Sequence, residues 1–237
     1  TAFRSSIIYS IAEILILVLI LYLVFRMIRS YMNTSRAFEN QLATAAVALQ
    51  GFASQVELLQ RVATVSNSAP TFEDALNEGL SVICASMGWP VGHVYLLAKH
   101  DSRLLIPTDI WVIGDTDQHS SFKQITMDKE FSFGEGLPGR VLESGEICWI
   151  DDVTQDDNFP RAKLIADFSL RTGIGIPVIA DKKCVAVIEI LTDNRESVDN
   201  DLIQSLTQVG KELGRVWQRE KITAELSEAR MEAEEGA

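Results

Sequence analysis

The chain has 237 residues, of which 47% are apolar and 23% charged, and 33 acidic against 21 basic side chains give it a formal net charge of −12. So large an apolar fraction excludes a disordered acidic tail, and the negative charge argues against nucleic-acid binding because phosphate backbones are repelled. Cys84, Cys148 and Cys184 are far apart and lack CxxC spacing, which argues against a zinc site or a disulfide framework. We therefore expect a folded protein in a reducing compartment.

The first part of the chain predicts a membrane anchor. The 19 residues Ile7–Phe25 are apolar or aromatic except for Ser10 and Glu13. A helix of this length spans about 28 Å, close to the thickness of the bilayer hydrocarbon. Arg26 and Arg29 follow in place of a cleavage site, so we expect an uncleaved transmembrane helix. Glu13 would either reach the outer interface or be protonated, or it would contact another membrane helix.

The arginines around this segment predict its orientation. Arg4 precedes the segment, whereas Arg26, Arg29 and Arg36 follow it. By the positive-inside rule, the C-terminal side then lies in the cytoplasm. We expect a single-pass protein of the inner (cytoplasmic) membrane.

A heptad pattern follows the anchor and predicts a dimer. Its apolar positions alternate between spacings of three and four, which is typical of a coiled-coil seam. They are Leu42, Ala45, Leu49, Phe52, Val56, Leu59 and Ala63. The alternative is an amphipathic helix that lies on its own domain, and both hold if the first half pairs with a partner while the second half packs on the body.

The rest of the chain predicts an α+β domain with a mainly antiparallel sheet of five or six strands. A second helix is predicted over Thr71–Met87, with Thr71 as N-cap and Gly88 beyond its end. A last helix is predicted from Asp199 to at least Lys221. Strands are predicted at His93–Ala98, Leu104–Gly114, Glu146–Asp151, Gly173–Ala180 and Cys184–Thr192, short helices at Pro138–Ser144 and Arg161–Phe168, and hairpin turns at Asp101-Ser102 and Asp181-Lys182.

Two motifs have structural explanations that we prefer to ligand binding. Residues Gly134–Gly139 read GEGLPG and satisfy GxGxxG, but Gly145 ends the next helix too early for a dinucleotide-binding unit. We expect these glycines to make turns around a short helix. An acidic loop lacks the calcium-loop spacing, so caps and solvated charges explain it better than a metal. That loop contains Asp151, Asp152, Asp156 and Asp157.

Four segments in the second half of the chain together indicate a family. They read GEGLPGRVLESGEICWIDDVTQDDNFPRA (134–162), LRTGIGIPV (170–178), VAVIEILTDN (185–194) and VDNDLIQSLTQVGKELGRVWQRE (198–220). In this order they resemble a GAF domain of the kind found in multidomain bacterial sensor histidine kinases. The resemblance covers about residues 58–220. It implies an antiparallel sheet between terminal helices and a ligand-facing layer of short helices and loops.

The resemblance also implies a function and a site. Such domains are regulatory, with a small-molecule or redox-sensing pocket, dimerisation through the terminal helices and output through a C-terminal helix. On this chain the pocket would be walled by the strand around Trp111, by Cys148–Asp151 and by Asn158–Phe168. The ligand-binding residues that it implies are Trp111, Trp149, Asp151, Phe159, Arg161 and Arg171. An inward arginine would suit an anionic ligand, whereas the alternative is that Arg161 and Arg171 neutralise the acidic loop.

The sequence lacks the motifs of two ligand-binding groups within the family, which argues against those ligands and leaves the cofactor unknown. Asn194-Arg195 lacks the Asn-Lys and Phe pattern of the cyclic-nucleotide members, and no Cys-His pair is available for bilin attachment. We therefore divide the chain into an anchor (1–30), a helical coiled-coil linker (31–57), a GAF-like domain (58–220) and an outgoing charged helix (221–237).

Two classes of function remain after these departures. The first is a membrane-anchored, non-enzymatic sensory module that relays a signal to an output domain. The alternative is an accessory or scaffold subunit of a larger membrane complex, in which the GAF fold is a protein–protein adaptor.

Overall fold

The computed structural model describes the backbone of residues 2–114, 122–124, 126–127, 129–162 and 169–235, and side chains from residue 15 to 234 within these ranges. The chain divides into two compact units, Thr1–Ser54 and Gln55–Ala237. Helix α1 (Ala2–Ser68) begins in the first unit. The predicted role of the Glu13 side chain and most of the predicted helix Arg161–Phe168 lie outside the described residues.

The first unit is helical and exposes a continuous run of apolar side chains. From Leu15 to Phe25 every side chain in the run is at least 44% exposed. In the described part of the chain, one helix is long and apolar enough to cross a membrane.

The second unit contains an antiparallel sheet with helices on both faces, as predicted. The described strands are β1 (Val91–Ala98), β2 (Asp101–Ile113), β3 (Phe131–Ser132), β4 (Cys148–Ile150), β5 (Thr172–Ala180) and β6 (Lys183–Thr192). They lie in the order β3-β2-β1-β6-β5-β4, and each neighbouring pair is antiparallel. The central strands are thus β1 and β6.

One of the two predicted hairpin turns is wrong. Asp101 and Ser102 belong to β2, and the turn lies instead at Lys99 and His100. The second prediction is confirmed, because Asp181 and Lys182 join β5 to β6 with φ of 49° and 63°. Two successive left-handed residues match the twist of a tight hairpin.

Three further helices of the second unit have bounds within the described residues. Helix α2 (Phe72–Met87) begins where Thr71 accepts a hydrogen bond from Asp74 N and ends at left-handed Gly88, as predicted. Helix α3 (Gly136–Ser144) is the predicted short helix and ends at left-handed Gly145, but of the GxGxxG glycines only Gly134 precedes it, whereas Gly136 begins the helix and Gly139 lies within it. Helix α4 (Asn200–Glu235) extends well past the predicted minimum.

The two faces of the sheet are covered by different layers. The end of α1, α2 and α4 pack on one face, which we call the helix face. Helix α3 and the chain around residues 122, 131, 153 and 159 cover the other, the loop face. Because successive strand residues point to opposite faces, β6 sends Val187, Glu189 and Leu191 to the loop face and Ile188 and Ile190 to the helix face.

Candidate functional site

A buried ion pair lies at the centre of the loop face. Arg161 Nη2 donates to Glu189 Oε1 at 2.5 Å, and the two side chains are 4% and 1% exposed. Tyr95 Oη lies 3.4 Å from both Glu189 Oε2 and Arg161 Nη1, so it donates to the carboxylate and accepts from the guanidinium. Thr126 Oγ1 accepts a further bond from Arg161 at 3.4 Å.

Three phenylalanines surround the same guanidinium. Its Cζ lies 5.3, 5.1 and 4.8 Å from the ring centroids of Phe122, Phe131 and Phe159. Contacts of this length between a cation and an aromatic ring are attractive. We call these rings together with Arg161, Glu189, Tyr95 and Thr126 the Arg161 cluster.

The charges in the cluster support one another. Burial is the largest single influence on Arg161 and opposes its charge, but the charge and hydrogen bonds of Glu189 and Tyr95 together outweigh burial, so the pKa of Arg161 is raised above its usual value. Burial and the same carboxylate raise the pKa of Tyr95 well above its usual value, which keeps the phenol protonated as a donor. Among the described residues, Arg161 Nε has no hydrogen-bond acceptor.

A neutral histidine adjoins the cluster. His93 stacks on Trp111 with ring centroids 3.6 Å apart and meets Tyr95 edge-on at 4.3 Å. Its Nε2–H donates to Thr108 O at 2.9 Å, which leaves Nδ1 as a buried lone pair with no partner in the described chain. Burial, assisted by the charges of Arg161 and Lys123, lowers the pKa of His93 to about 3. The imidazole therefore adds no charge to the site.

The loop that carries Arg161 is fixed at its start by polar contacts. Asn158 accepts a hydrogen bond from Gly136 N at 3.1 Å and donates to Gly134 O at 2.6 Å. Asp156 accepts two bonds from Arg140, at 3.0 and 3.2 Å. An open cavity of about 820 Å³ lies on the outer side of this loop, lined by Thr154–Asp157, Phe159, Pro160, Ala162 and Arg171.

The structure brings together only some of the residues that the sequence predicted for the pocket. Trp111, Phe159 and Arg161 lie on the loop face. Trp149 lies on the helix face, with its ring 6.0 Å from that of Trp89, because it is one strand position from Cys148 and Ile150. It cannot wall the same cavity as Trp111.

The remaining predicted residues belong to the acidic loop. Asp151 is exposed, and its carbonyl accepts from Thr172 Oγ1 at 3.0 Å. Arg171 donates to Thr154 Oγ1 at 3.4 Å. Two carboxylates of the loop pair with other arginines, Asp152 with Arg195 and Asp156 with Arg140. Arg161 pairs with Glu189 instead.

Sequence reasoning missed Glu189 and Tyr95. Glu189 interrupts the apolar run VAVIEILT (185–192) at a position that faces inward if its neighbours alternate. An acidic residue there requires a buried cation or a buried donor. That signal could have predicted the partner of Arg161.

The thiols of the domain do not form an activated nucleophile. Burial raises the pKa of Cys84 and of Cys184 to about 12. Burial also raises the pKa of Cys148, which is only partly covered. All three are therefore protonated at neutral pH, and a protonated thiol is a weak nucleophile.

The family of the chain follows from its match to a family model. The model described as "GAF domain" matches residues 69–218. The chain belongs to the GAF domain family. The sequence matches none of the curated proteins with which it was compared.

Solved structures share this GAF fold at low sequence identity. A free methionine-R-sulfoxide reductase of Neisseria meningitidis, solved with its substrate, has 17% identity and a TM-score of 0.58 over 71% of this chain and 91% of that chain. A GAF domain of A. aeolicus in an inactive state has 19% identity and a TM-score of 0.54, covering 70% and 97%. The GAF domain of a phosphoenolpyruvate-protein phosphotransferase of Coxiella burnetii has 14% identity and a TM-score of 0.57, covering 72% and 96%. At these identities the likeness concerns the fold alone.

Proposed function

We propose that this chain is a membrane-anchored regulatory module that binds a small molecule at the loop face and relays the event to an output domain. The observation that carries the proposal is a direct contact between the outgoing helix α4 and the junction of α1 with α2. The apolar segment before residue 30 is the anchor, and the arginines that follow it favour a cytoplasmic second unit. The output would be a histidine kinase or another signalling domain, and the module itself is non-enzymatic.

Adjacent residues of α4 hold the ends of two other helices. Arg219 Nη2 donates to Ser66 O at 3.2 Å and to Ala69 O at 3.0 Å, at the C-terminal end of α1. Phe72 N, at the N-terminal end of α2, donates to Glu220 Oε2 at 2.6 Å. A cation at a helix C-terminus and an anion at an N-terminus both complement the helix dipole, each by about 0.3–1 kcal/mol. We call this contact the α4 clamp.

The position of the clamp suits a relay. Up to Val216, α4 buries Leu206, Val209, Leu213 and Val216 against the helix face. Past the clamp, Ile222 and Leu226 are 56% and 66% exposed. The clamp therefore marks the point where α4 leaves the body, and movement of the α1–α2 junction would pass directly to the outgoing segment.

The proposed ligand site is the loop face around Trp111, Phe159 and Arg161. These residues lie on the face of the sheet opposite α4, so a change there would reach the clamp through the sheet, on which α4 rests at β5. Protonated thiols give no support to a cysteine-based reaction at this site.

One observation favours the alternative adaptor function. The centre of the loop face is filled by the side chains of the Arg161 cluster, which satisfy one another's charges. A filled pocket is what a passive protein–protein adaptor would have. The two functions differ in whether a change at the cluster reaches α4.

Hydrogen exchange of the full chain in lipid vesicles tests the relay. Glu189→Gln removes the carboxylate charge at the loop face. We expect it to change the exchange of amides in residues 219–235, because the clamp transmits the altered packing. Without the clamp the response should disappear, so the double variant Glu189→Gln, Arg219→Met should show the same exchange in residues 219–235 as Arg219→Met alone. If Glu189→Gln alters exchange only on the loop face, the relay is wrong and the adaptor function is favoured.

Two control variants separate transmission from general destabilisation. Arg215→Met removes an arginine one turn before the clamp whose hydrogen bonds go to Glu212 of the same helix. It should leave the response to Glu189→Gln intact. Leu137→Ala destabilises the loop-face core without touching the ion pair, and it should not reproduce the change in residues 219–235.

A further inference from the structure

We infer that the Arg161 cluster is a binding site for an organic cation, in which Arg161 is an intramolecular ligand that a guanidinium- or ammonium-bearing small molecule displaces. The inference rests on the sensory role proposed above and names the chemical class of its ligand. It differs from the expectation drawn from the sequence, in which an inward arginine would bind an anion.

One member of the ion pair is held more firmly than the other. Glu189 lies in β6, one of the two central strands, and its neighbours in β1 and β5 are His93 and Gly175. Its backbone is held by the sheet on both sides. Arg161 lies in the loop between β4 and β5, beyond the contacts of Asn158 that fix the start of that loop. The carboxylate is therefore the permanent part of the site, and the guanidinium is the part that can leave.

Aromatic rings and a carboxylate wall the space around the guanidinium. Three phenylalanine faces within 5.3 Å and one buried carboxylate make an aromatic cage. Cages of this kind recognise organic cations, because the ring faces carry negative potential and water is excluded. The adjacent imidazole of His93 is neutral, so it does not oppose a second cation at this place.

Arg161 fits the cage incompletely. Its Nε–H is buried and has no acceptor among the described residues. Its Nη1 contacts to Tyr95 and Thr126 are both 3.4 Å, at the long limit for a hydrogen bond. A buried N–H without an acceptor is costly. A cation that is free of the backbone could turn to satisfy its donors, and Tyr95 would still donate to Glu189.

Displacement would also have a structural consequence. Phe159 belongs to both the cage and the lining of the open cavity of about 820 Å³ on the outer side of the loop. Because Arg161 is two residues further along the same turn, its release would move that ring. Binding of a cation is thus coupled to the shape of the loop face.

Chemical rescue of Arg161→Ala tests the inference in the full chain solubilised in detergent. The variant leaves an empty cage with a lone carboxylate, and methylguanidinium chloride is the probe. We expect a saturable rise in Tm of about 3–6 °C at ten times the dissociation constant. Methylurea has a similar shape without the charge and should give no rise. The Arg161→Ala, Glu189→Gln double variant should not respond to methylguanidinium.

Wild type and one matched variant complete the test. Wild type should need at least a tenfold higher concentration of methylguanidinium for the same response, because Arg161 competes for the cage. Arg140→Ala removes an arginine whose partner Asp156 lies outside the cage, with side chains 27% and 19% exposed, and it should not be rescued. Equal responses of wild type and Arg161→Ala would overturn the inference, as would rescue by methylurea.

Two further results decide the remaining cases. If Arg161→Ala is unfolded, recovery of its near-ultraviolet circular dichroism in methylguanidinium but not in potassium chloride supports the cage, and no recovery overturns it. These measurements report binding alone, whereas the relay is reported by exchange in residues 219–235. Loss of the cation site would therefore leave the relay standing, and a failed relay would leave the cation site standing.

Discussion

Arg161 and Glu189 keep their charges in the interior because each replaces the water that the other has lost. Removing one member of such a pair leaves an uncompensated buried charge and costs about 3–5 kcal/mol, whereas replacing both by apolar groups is often neutral. The pair therefore adds little net stability. Its effect is to hold the guanidinium of Arg161, which belongs to the loop layer, against Glu189 of the central strand β6.

The pH dependence of stability should report the neutral state of His93. Its pKa is lowered to about 3 by burial, with the charges of Arg161 and Lys123 acting in the same direction and the hydrogen bond to Thr108 acting against them. The unfolded imidazole has a pKa of about 6.5. Between these values the unfolded state binds more protons, so stability present above pH 6.5 is lost as the pH falls towards 3.

We expect the free energy of unfolding to decrease by about 2 kcal/mol between pH 7 and pH 5 through His93 alone. Urea denaturation of wild type and of His93→Phe at several pH values measures this loss. Because the carboxylates contribute equally to both proteins, the difference between their two pH curves is the contribution of His93. The phenyl ring keeps the stack on Trp111. Parallel pH curves for the two proteins would contradict the buried neutral imidazole.

At the scale of elements, α4 approaches the sheet closely because it lacks side chains at two positions. A Cβ on Gly210 would collide with Pro177 O, and a Cβ on Gly214 would collide with Ile179 O, both in β5. The two glycines lie one turn apart on the face that carries Leu213. The helix thus rests directly on the backbone of a strand.

Gly214→Ala should destabilise the domain by about 1–3 kcal/mol, because overpacking against a backbone oxygen exceeds the gain in helix propensity of up to about 1 kcal/mol. Thermal or urea unfolding measures the loss. Gly51→Ala is the control, since nothing lies within 4 Å of a Cβ there and the helix is exposed. It should leave the unfolding of the second unit unchanged, and an equal loss in both variants would exclude close packing as the cause.

The elements could be predicted from the sequence wherever a local pattern determines them. Caps such as Thr71 and Gly88, and the apolar runs of the long strands, are local, and they placed the long strands and α2 correctly. Strand β3 has only two residues, Phe131 and Ser132, so it carries no periodicity. Trp149 was predicted for the pocket through the family resemblance, and the three residues of β4 carry too little pattern to show that it lies on the helix face instead.

The candidate site was predictable only in part for a related reason. Arg161 and Phe159 were identified through family resemblance, and they do lie on the loop face. Glu189 was missed because its partner is 28 residues away along the chain. Patterns along the sequence do not bring such pairs together; the fold does. The clamp between Arg219 and the end of α1 is equally invisible, with 153 residues between Arg219 and Ser66.

At the scale of the whole molecule, the heptad positions of α1 separate into two groups. Leu58 and Val62, one position beside the seam, are buried in the second unit. The seam residues Leu49, Phe52 and Val56 are 68%, 62% and 45% exposed, and Leu42 is 54% exposed, whereas Leu59 is partly buried against the core. Most of the seam is thus exposed, and we propose that it pairs with the same residues of a second copy.

Cross-linking of the full chain in intact bacterial cells tests the dimer and its orientation together. Val56→Cys is introduced with Cys148→Ser, which removes the partly exposed native thiol, while Cys84 and Cys184 stay buried. A membrane-permeant bismaleimide should give covalent dimers, because seam residues of two parallel helices face each other. Ser54→Cys, which lies on the opposite side of the helix about 200° away, should give far fewer.

Prior treatment of the cells with an impermeant maleimide should leave the dimers unchanged if position 56 faces the cytoplasm. If the impermeant maleimide blocks the cysteine at position 56 and prevents the covalent dimer, the proposed orientation is reversed. Equal cross-linking at positions 54 and 56 would exclude the seam as the interface.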